Sequence, residues 1–112
     1  MMTSPELALA RGTVLLILQD FLNRRRPVAA TSGPTYLVED LLAEMLSDRG
    51  YPIPEGELGG SVLSYLKGAG LIEYRTSEPI GPEKRIFLSW RITHDGQQVL
   101  ERKREDPGIR IF

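Results

Sequence analysis

The spacing of apolar residues changes period at Leu71, and that change limits what this chain can fold into more than any other feature of it. Upstream, apolar side chains recur at helical intervals; from Leu71 they alternate, as on a half-buried strand. Helical spacing returns only after Thr93. The expected class is therefore α+β, mainly α with a small β-hairpin. At 112 residues, 41% hydrophobic and 26% charged, the chain suits one domain over residues 1–112 with one modest core. That length leaves no room for separate cofactor and substrate domains, which argues against a multi-step enzyme.

Thr3-Ser4-Pro5-Glu6 carries the signals of a helix start: capping hydroxyls, a proline tolerated in the first turn and an acid favoured by the helix dipole. The first helix, within residues 1–23, is expected to end near Asn23. Leu7, Ala10, Val14, Ile17, Leu18 and Phe21 share one face, while Leu9 and Leu16 lie on the other. Two stripes need two partners. One is the core; the other is either a rim covered by the C-terminal segment or a homodimer seam through Leu9 and Leu16. Arg11 interrupts the apolar face and is expected to snorkel at its edge. Residues 24–34 hold three arginines, two prolines and a glycine and read as a loop, with a short extended piece at Val28-Ala29-Ala30.

A second helix is predicted over Thr35–Arg49 from Val38, Leu41, Leu42, Met45 and Leu46, with Gly50 as its stop. After Tyr51-Pro52-Ile53-Pro54, a third helix buries Leu58, Val62, Tyr65, Leu66 and Ala69, so that residues 35–67 form two helices joined by a turn. Strands follow at Leu71–Arg75 and Ile86–Ile92, the second with Ile86, Leu88, Trp90 and Ile92 facing inward; together they make a hairpin over residues 71–92. The ten residues Thr76–Arg85 between them, with two prolines and a glycine, suit a protruding loop. Thr93 can cap a last helix over residues 93–104, and Asp106-Pro107-Gly108 ends it within an apolar tail, 105–112, carrying Ile109, Ile111 and Phe112.

Little in the chain points to chemistry. There is no cysteine, and the single histidine, His94, falls at a helix start and reads as solvent-facing. No HExxH, EF-hand, GxGxxG or P-loop pattern occurs, and Ser61 and Ser64 have no neighbouring base, so no catalytic residue, cofactor or metal is expected. Trp90 is expected in the core rather than on a stacking surface. The apolar run Val14–Leu18 is five residues long, against about 20 for a bilayer span. Glu6 before it and Arg24-Arg25-Arg26 after it do not suit a signal peptide, so a cytoplasmic protein without membrane contact is expected.

Two segments carry a resemblance. Gly60-Ser61-Val62-Leu63-Ser64-Tyr65-Leu66-Lys67-Gly68-Ala69-Gly70-Leu71-Ile72-Glu73-Tyr74-Arg75 looks like the end of a recognition helix running into a strand. Trp90-Arg91-Ile92-Thr93-His94-Asp95-Gly96 resembles the aromatic-x-leucine-threonine-x-x-glycine that ends the wing of PadR-like and MarR-like bacterial regulators. The resemblance spans residues 35–100 and implies a winged helix-turn-helix. Through Leu7-Ala8-Leu9-Ala10-Arg11 and Tyr51-Pro52-Ile53-Pro54-Glu55-Gly56-Glu57-Leu58 the chain is also similar to small winged-helix proteins of Mu-like phages and prophages.

The family implies a bacterial or phage transcriptional regulator that binds double-stranded DNA as a homodimer, its third helix in the major groove and its wing on the backbone or minor groove. Mapped onto this chain, the contacts are Gly60, Ser61, Ser64 and Lys67 on the helix, with Arg75, Lys84 and Arg85 on the wing. Charge speaks partly against this. Residues 35–66 hold six acids and one base, whereas the segments on either side, 1–34 and 67–112, are each net +2. Phosphates repel an acidic recognition unit, so DNA binding is expected to be led by the wing. The competing expectation is a protein-interaction or assembly module whose acidic face, with an exposed Leu63, meets a basic protein partner.

Overall fold

The computed structural model describes residues 4–29, 36–50, 53 and 58–111. The chain is α+β. Helix α1 (Ser4–Ala29) leads into strand β1 (Leu37–Val38) and helix α2 (Glu39–Asp48). A π-helical turn (Leu58–Leu63) runs directly into α3 (Ser64–Gly68), followed by β2 (Ile72–Thr76), β3 (Leu88–Ile92) and α4 (His94–Leu100). The strands form one antiparallel sheet in the order β1-β3-β2, with Leu37 opposite Trp90 and Tyr74 opposite Trp90 on its other side. Helix α1 crosses the middle of the molecule and packs against α2, the π turn, β3 and α4. Val14, Leu15 and Leu18 of α1 meet Leu42, Leu66 and Leu71 in a fully buried core, where each such side chain contributes about 1.5–3 kcal/mol.

Several boundaries differ from the sequence expectation, each for a physical reason. Helix α1 continues past Asn23 to Ala29, so Val28 and Ala29 are helical rather than extended; Ala30 and the rest of the expected loop lie outside the described residues. The arginines belong to the last turns, where the helix dipole favours cations, and Arg24 pairs with Asp20 one turn back at 3.1 Å. The second helix begins at Glu39 rather than Thr35, because Leu37 and Val38 are taken as a third strand. Val38 and Leu41, both expected on the buried helix face, are instead 37 and 46% exposed. Ile86, expected to face inward, is 59% exposed, since regular pairing starts only at Leu88.

The last helix stops at Leu100, not near Arg104. Arg102 turns left-handed (φ 62°), and the amides of Arg102 and Lys103 return to the carbonyls of Val99 (3.1 Å) and Gln98 (2.9 Å), closing the final turn. Gly70 closes α3 in the same way, with φ 76° and the Gly70 and Leu71 amides on Lys67 and Leu66. At the other end of α4 the Thr93 cap forms as its sequence position suggests. Its hydroxyl accepts from Gly96 N (3.2 Å) and donates to the Gly70 carbonyl (2.7 Å), tying the start of α4 to the end of α3. His94 is exposed in the first turn, and Trp90 is 5% exposed in the core with its indole N–H on Glu39 Oε1 at 3.0 Å.

The C-terminal tail returns to α1. Arg110 N donates to the Ala8 carbonyl at 3.0 Å, and the tail passes so close to Gly12 that a β-carbon there would overlap the Arg110 carbonyl. Ile109 and Ile111 pack on the core edge, while Phe112 lies outside the described residues. The tail therefore covers the Ala8–Gly12 side of α1 and leaves Leu16 37% exposed, with Leu9 half-buried. Among the described residues no helix is long and apolar enough to cross a membrane.

Close approach at Gly12 gives a direct test. Gly12→Ala is expected to lower unfolding stability by about 1–3 kcal/mol, because backbone rather than a flexible side chain must yield. Gly68→Ala, where an added methyl meets nothing within 4 Å, is expected to raise it by about 0.5–1 kcal/mol. Urea titration of both variants reads the difference.

Candidate nucleic-acid interface

The exposed side of the third helical segment is set by what its inner side does. A π turn holds one more residue per turn than an α-helix, so every residue after it is rotated relative to regular helical spacing. Val62, Leu63 and Leu66 are all fully buried. Leu63 is thus a core residue and not the exposed flank expected from α-helical projection. Gly60, Ser64 and Lys67 are left facing solvent, with no atom within 4 Å of a β-carbon at Gly60. Glu57, expected on the same face, lies outside the described residues.

Arg11 holds this orientation. Its Nε and Nη2 donate to the Ser61 carbonyl at 3.0 and 2.8 Å, and Nη1 donates to the Gly108 carbonyl at 3.0 Å. The guanidinium also lies 3.8 Å from the centre of the Tyr65 ring. Far from snorkelling, it joins α1, the π turn and the tail through three of its five N–H donors. Ser61 is therefore half-buried, its backbone engaged inward. The Tyr65 hydroxyl donates to Asp106 Oδ1 at 2.5 Å, and the same carboxylate oxygen accepts from Gly108 N at 2.8 Å.

The wing residues fall into separate groups. Lys67 Nζ lies 4.5 Å from the centre of the Tyr74 ring, which in turn contacts Trp90 with centroids 5.3 Å apart. Arg75 is the next residue on β2 and so points to the opposite sheet face. There its guanidinium and that of Arg91 lie 4.4 and 4.9 Å from the Tyr36 ring centre, and Glu73 accepts from both Arg91 and the Tyr36 hydroxyl. Arg75 and Lys67 consequently do not share one surface. Sequence spacing missed Tyr36 and Arg91 as partners because β1, at two residues, is too short to show alternation.

Beyond the sheet, the loop between β2 and β3 is itself a closed hairpin. Ser77 N donates to the Phe87 carbonyl (2.8 Å) and Phe87 N to the Ser77 hydroxyl (2.9 Å), and the Ile80 and Arg85 backbones exchange both bonds (2.9 and 3.1 Å). Between these pairs, Glu78 and Pro79 stand opposite Ile86 alone, a bulge that bends the ribbon. The turn Gly81-Pro82-Glu83-Lys84 places Lys84 in the left-handed region at φ 51°, and Lys84 and Arg85 are both exposed. Arg85 reaches back to 5.5 Å from the centre of the Phe87 ring.

Glu39 is partly buried on Trp90, leaving Asp40, Glu44 and Asp48 as the exposed acids of α2, while Glu55 and Glu57 lie outside the described residues. In the basic run at the end of the last helix, Lys103 pairs with Glu101 and Arg104 with Asp95, each at 3.1 Å. Among the described residues no group of three or more His, Cys, Asp or Glu side chains is placed to hold a metal ion.

The Tyr65 pKa is raised above the usual tyrosine value, first because its hydroxyl donates to Asp106, then through burial and the Asp106 charge; Arg11 and the Gly108 backbone pull the other way. A folded-state pKa raised above the unfolded one means the neutral phenol's contribution is complete below the ordinary value, about pH 10. It is lost as pH rises through the raised folded value. Tyr65→Phe is expected to reduce stability at neutral pH by about 1 kcal/mol. The gap between variant and parent should then narrow in alkaline solution, as read by urea unfolding across the pH series.

Set against protein-family models, curated proteins and solved structures, the chain matches none.

Proposed function

We propose that this chain is a winged helix-turn-helix protein that binds double-stranded DNA as a sequence-specific transcriptional regulator of bacterial or phage type. The observation that carries the reading is the closed hairpin beyond β2 and β3, which projects Lys84 and Arg85 from a sheet. The chain order supports it: three helical segments, two strands joined by that long hairpin, then a closing helix. In this reading Gly60, Ser64 and Lys67 approach base edges in the major groove, where small residues permit close contact and a hydroxyl and an ammonium can bond. Ser61 flanks that contact. Lys84 and Arg85 hold phosphates, and Arg75, stacked on Tyr36, lends positive charge from the other sheet face.

A second reading, a protein-interaction or assembly module meeting a basic partner, is favoured by a different observation. Val38, Leu41 and Ile86 are 37, 46 and 59% exposed, and Val38 and Ile86 line one cleft with Asp40. The buried Leu63 lends it nothing. Fluorescence-anisotropy titration of a randomised duplex pool at low and moderate salt separates the two. The DNA reading expects salt-sensitive binding, and Lys84→Ala/Arg85→Ala is expected to lower the log–log salt slope by about 2, at roughly 0.9 per phosphate contact. Absence of binding at low salt refutes it and leaves the protein-partner reading.

The homodimer belongs to the same proposal, with Leu9 and Leu16 of α1 at the seam. Leu16→Glu is expected to shift the sedimentation profile from dimer to monomer with helical content unchanged; an unaltered profile removes this seam.

A further inference from the structure

Among the described large apolar side chains the two most exposed, Ile86 at 59% and Ile80 at 56%, are both on the hairpin beyond β2 and β3. Ile86 is accounted for by the bulge and the cleft beside α2. Ile80 has no such setting. Its backbone is paired to Arg85 in both directions, so the tip is a closed ribbon and the Ile80 and Arg85 side chains stand on one face of it. Pro79 precedes it and Pro82 lies two residues on, each with a locked φ that restricts the backbone of the tip. Next to Arg85, Lys84 occupies a left-handed conformation that a lysine adopts rarely. Glu83 is the one acid in the turn, so the tip from Ile80 to Arg85 is net +1.

A rigid apolar side chain beside two cations at the end of a narrow ribbon has a specific physical counterpart in duplex DNA. The minor groove is about 6 Å wide, too narrow for a helix, yet a single aliphatic side chain can enter between base pairs and part them. The opened step offers apolar base faces, and the phosphates along both edges of the groove offer negative charge. We infer that Ile80 is a minor-groove wedge, which opens a base step and kinks the duplex while Lys84 and Arg85 anchor the tip to flanking phosphates. This rests on the DNA-binding reading above and adds to it a residue that acts through DNA shape rather than through base hydrogen bonds.

The test uses the full chain with an A·T-rich duplex carrying donor and acceptor dyes at its two ends. Anisotropy reads binding and energy transfer reads bending in the same titration. The parent protein is expected to bind and to raise transfer. Ile80→Ala, a change at an exposed site, is expected to bind less than about tenfold more weakly and to lose the transfer change, and Ile80→Phe, with a larger apolar tip, is expected to keep it. Binding by the parent without any change in transfer, or an alanine variant that bends DNA as the parent does, overturns the wedge and leaves the DNA reading intact. If Ile80→Ala abolishes binding, restoration of both signals by Ile80→Phe supports the wedge and failure to restore them overturns it. A parent protein that does not bind the duplex at low salt overturns the wedge and the DNA reading together.

Discussion

The contacts of Arg11 are the interaction on which the arrangement of the remaining parts depends. A cation on the inward side of a central helix must be satisfied, and here it is satisfied by backbone: two donors on the Ser61 carbonyl, one on the Gly108 carbonyl, with the Tyr65 ring against its face. Both carbonyls belong to segments that are neither regular α-helix nor strand. One is a π turn and the other an irregular tail. By holding them, a single guanidinium sets the rotation of the third helical segment about its axis and the path of the chain's end.

That rotation is what gives the candidate interface its composition. With Val62, Leu63 and Leu66 turned inward, the outward side is left with glycines, Ser64 and Lys67. Tyr65 serves the inner side as well, through Asp106 and through contact with Gly108. The sheet then divides the remaining cations. Lys67 rests on Tyr74 on one side, Arg75 and Arg91 gather around Tyr36 on the other, and Lys84 and Arg85 stand clear of both on their hairpin. A hairpin carried on a three-stranded sheet, with its tip closed by the paired Ile80 and Arg85 backbones, holds its charge at a more defined point than a loose loop of the same length.

Much of the fold was legible from spacing. The buried face of α1, the strand pair and the Thr93 cap follow from local periodicity and capping chemistry, whereas Leu41, read on the buried face of α2, is exposed. The site residues Gly60, Ser64, Lys67, Lys84 and Arg85 were likewise readable as solvent-facing. What spacing also misplaced was Leu63, Val38, Ile86 and Arg11. For Leu63 the projection drew the buried face too narrowly, since Val62, Leu63 and Leu66 span only about 100° of a helix and all three are buried. Val38 fits an apolar helix face equally well, and only Leu37 pairing with Trp90 across the sheet claims this stretch as strand. Arg11 resembles any long cation at the margin of an apolar stripe until the carbonyls it meets, 50 and 97 residues away, are brought beside it.

The sequence by itself determined the class, the order of helices and strands and the position of the long hairpin, because these depend on interactions between residues a few positions apart. It also determined which residues carry charge at the hairpin tip. Tertiary structure alone decided the third strand, the winding of the third helical segment, the partner of Arg11, the docking of the tail across Gly12 and the division of the cations between two sheet faces. Each of these depends on backbone groups distant in sequence that find one another only when the core closes, and local patterning contains no term for such encounters.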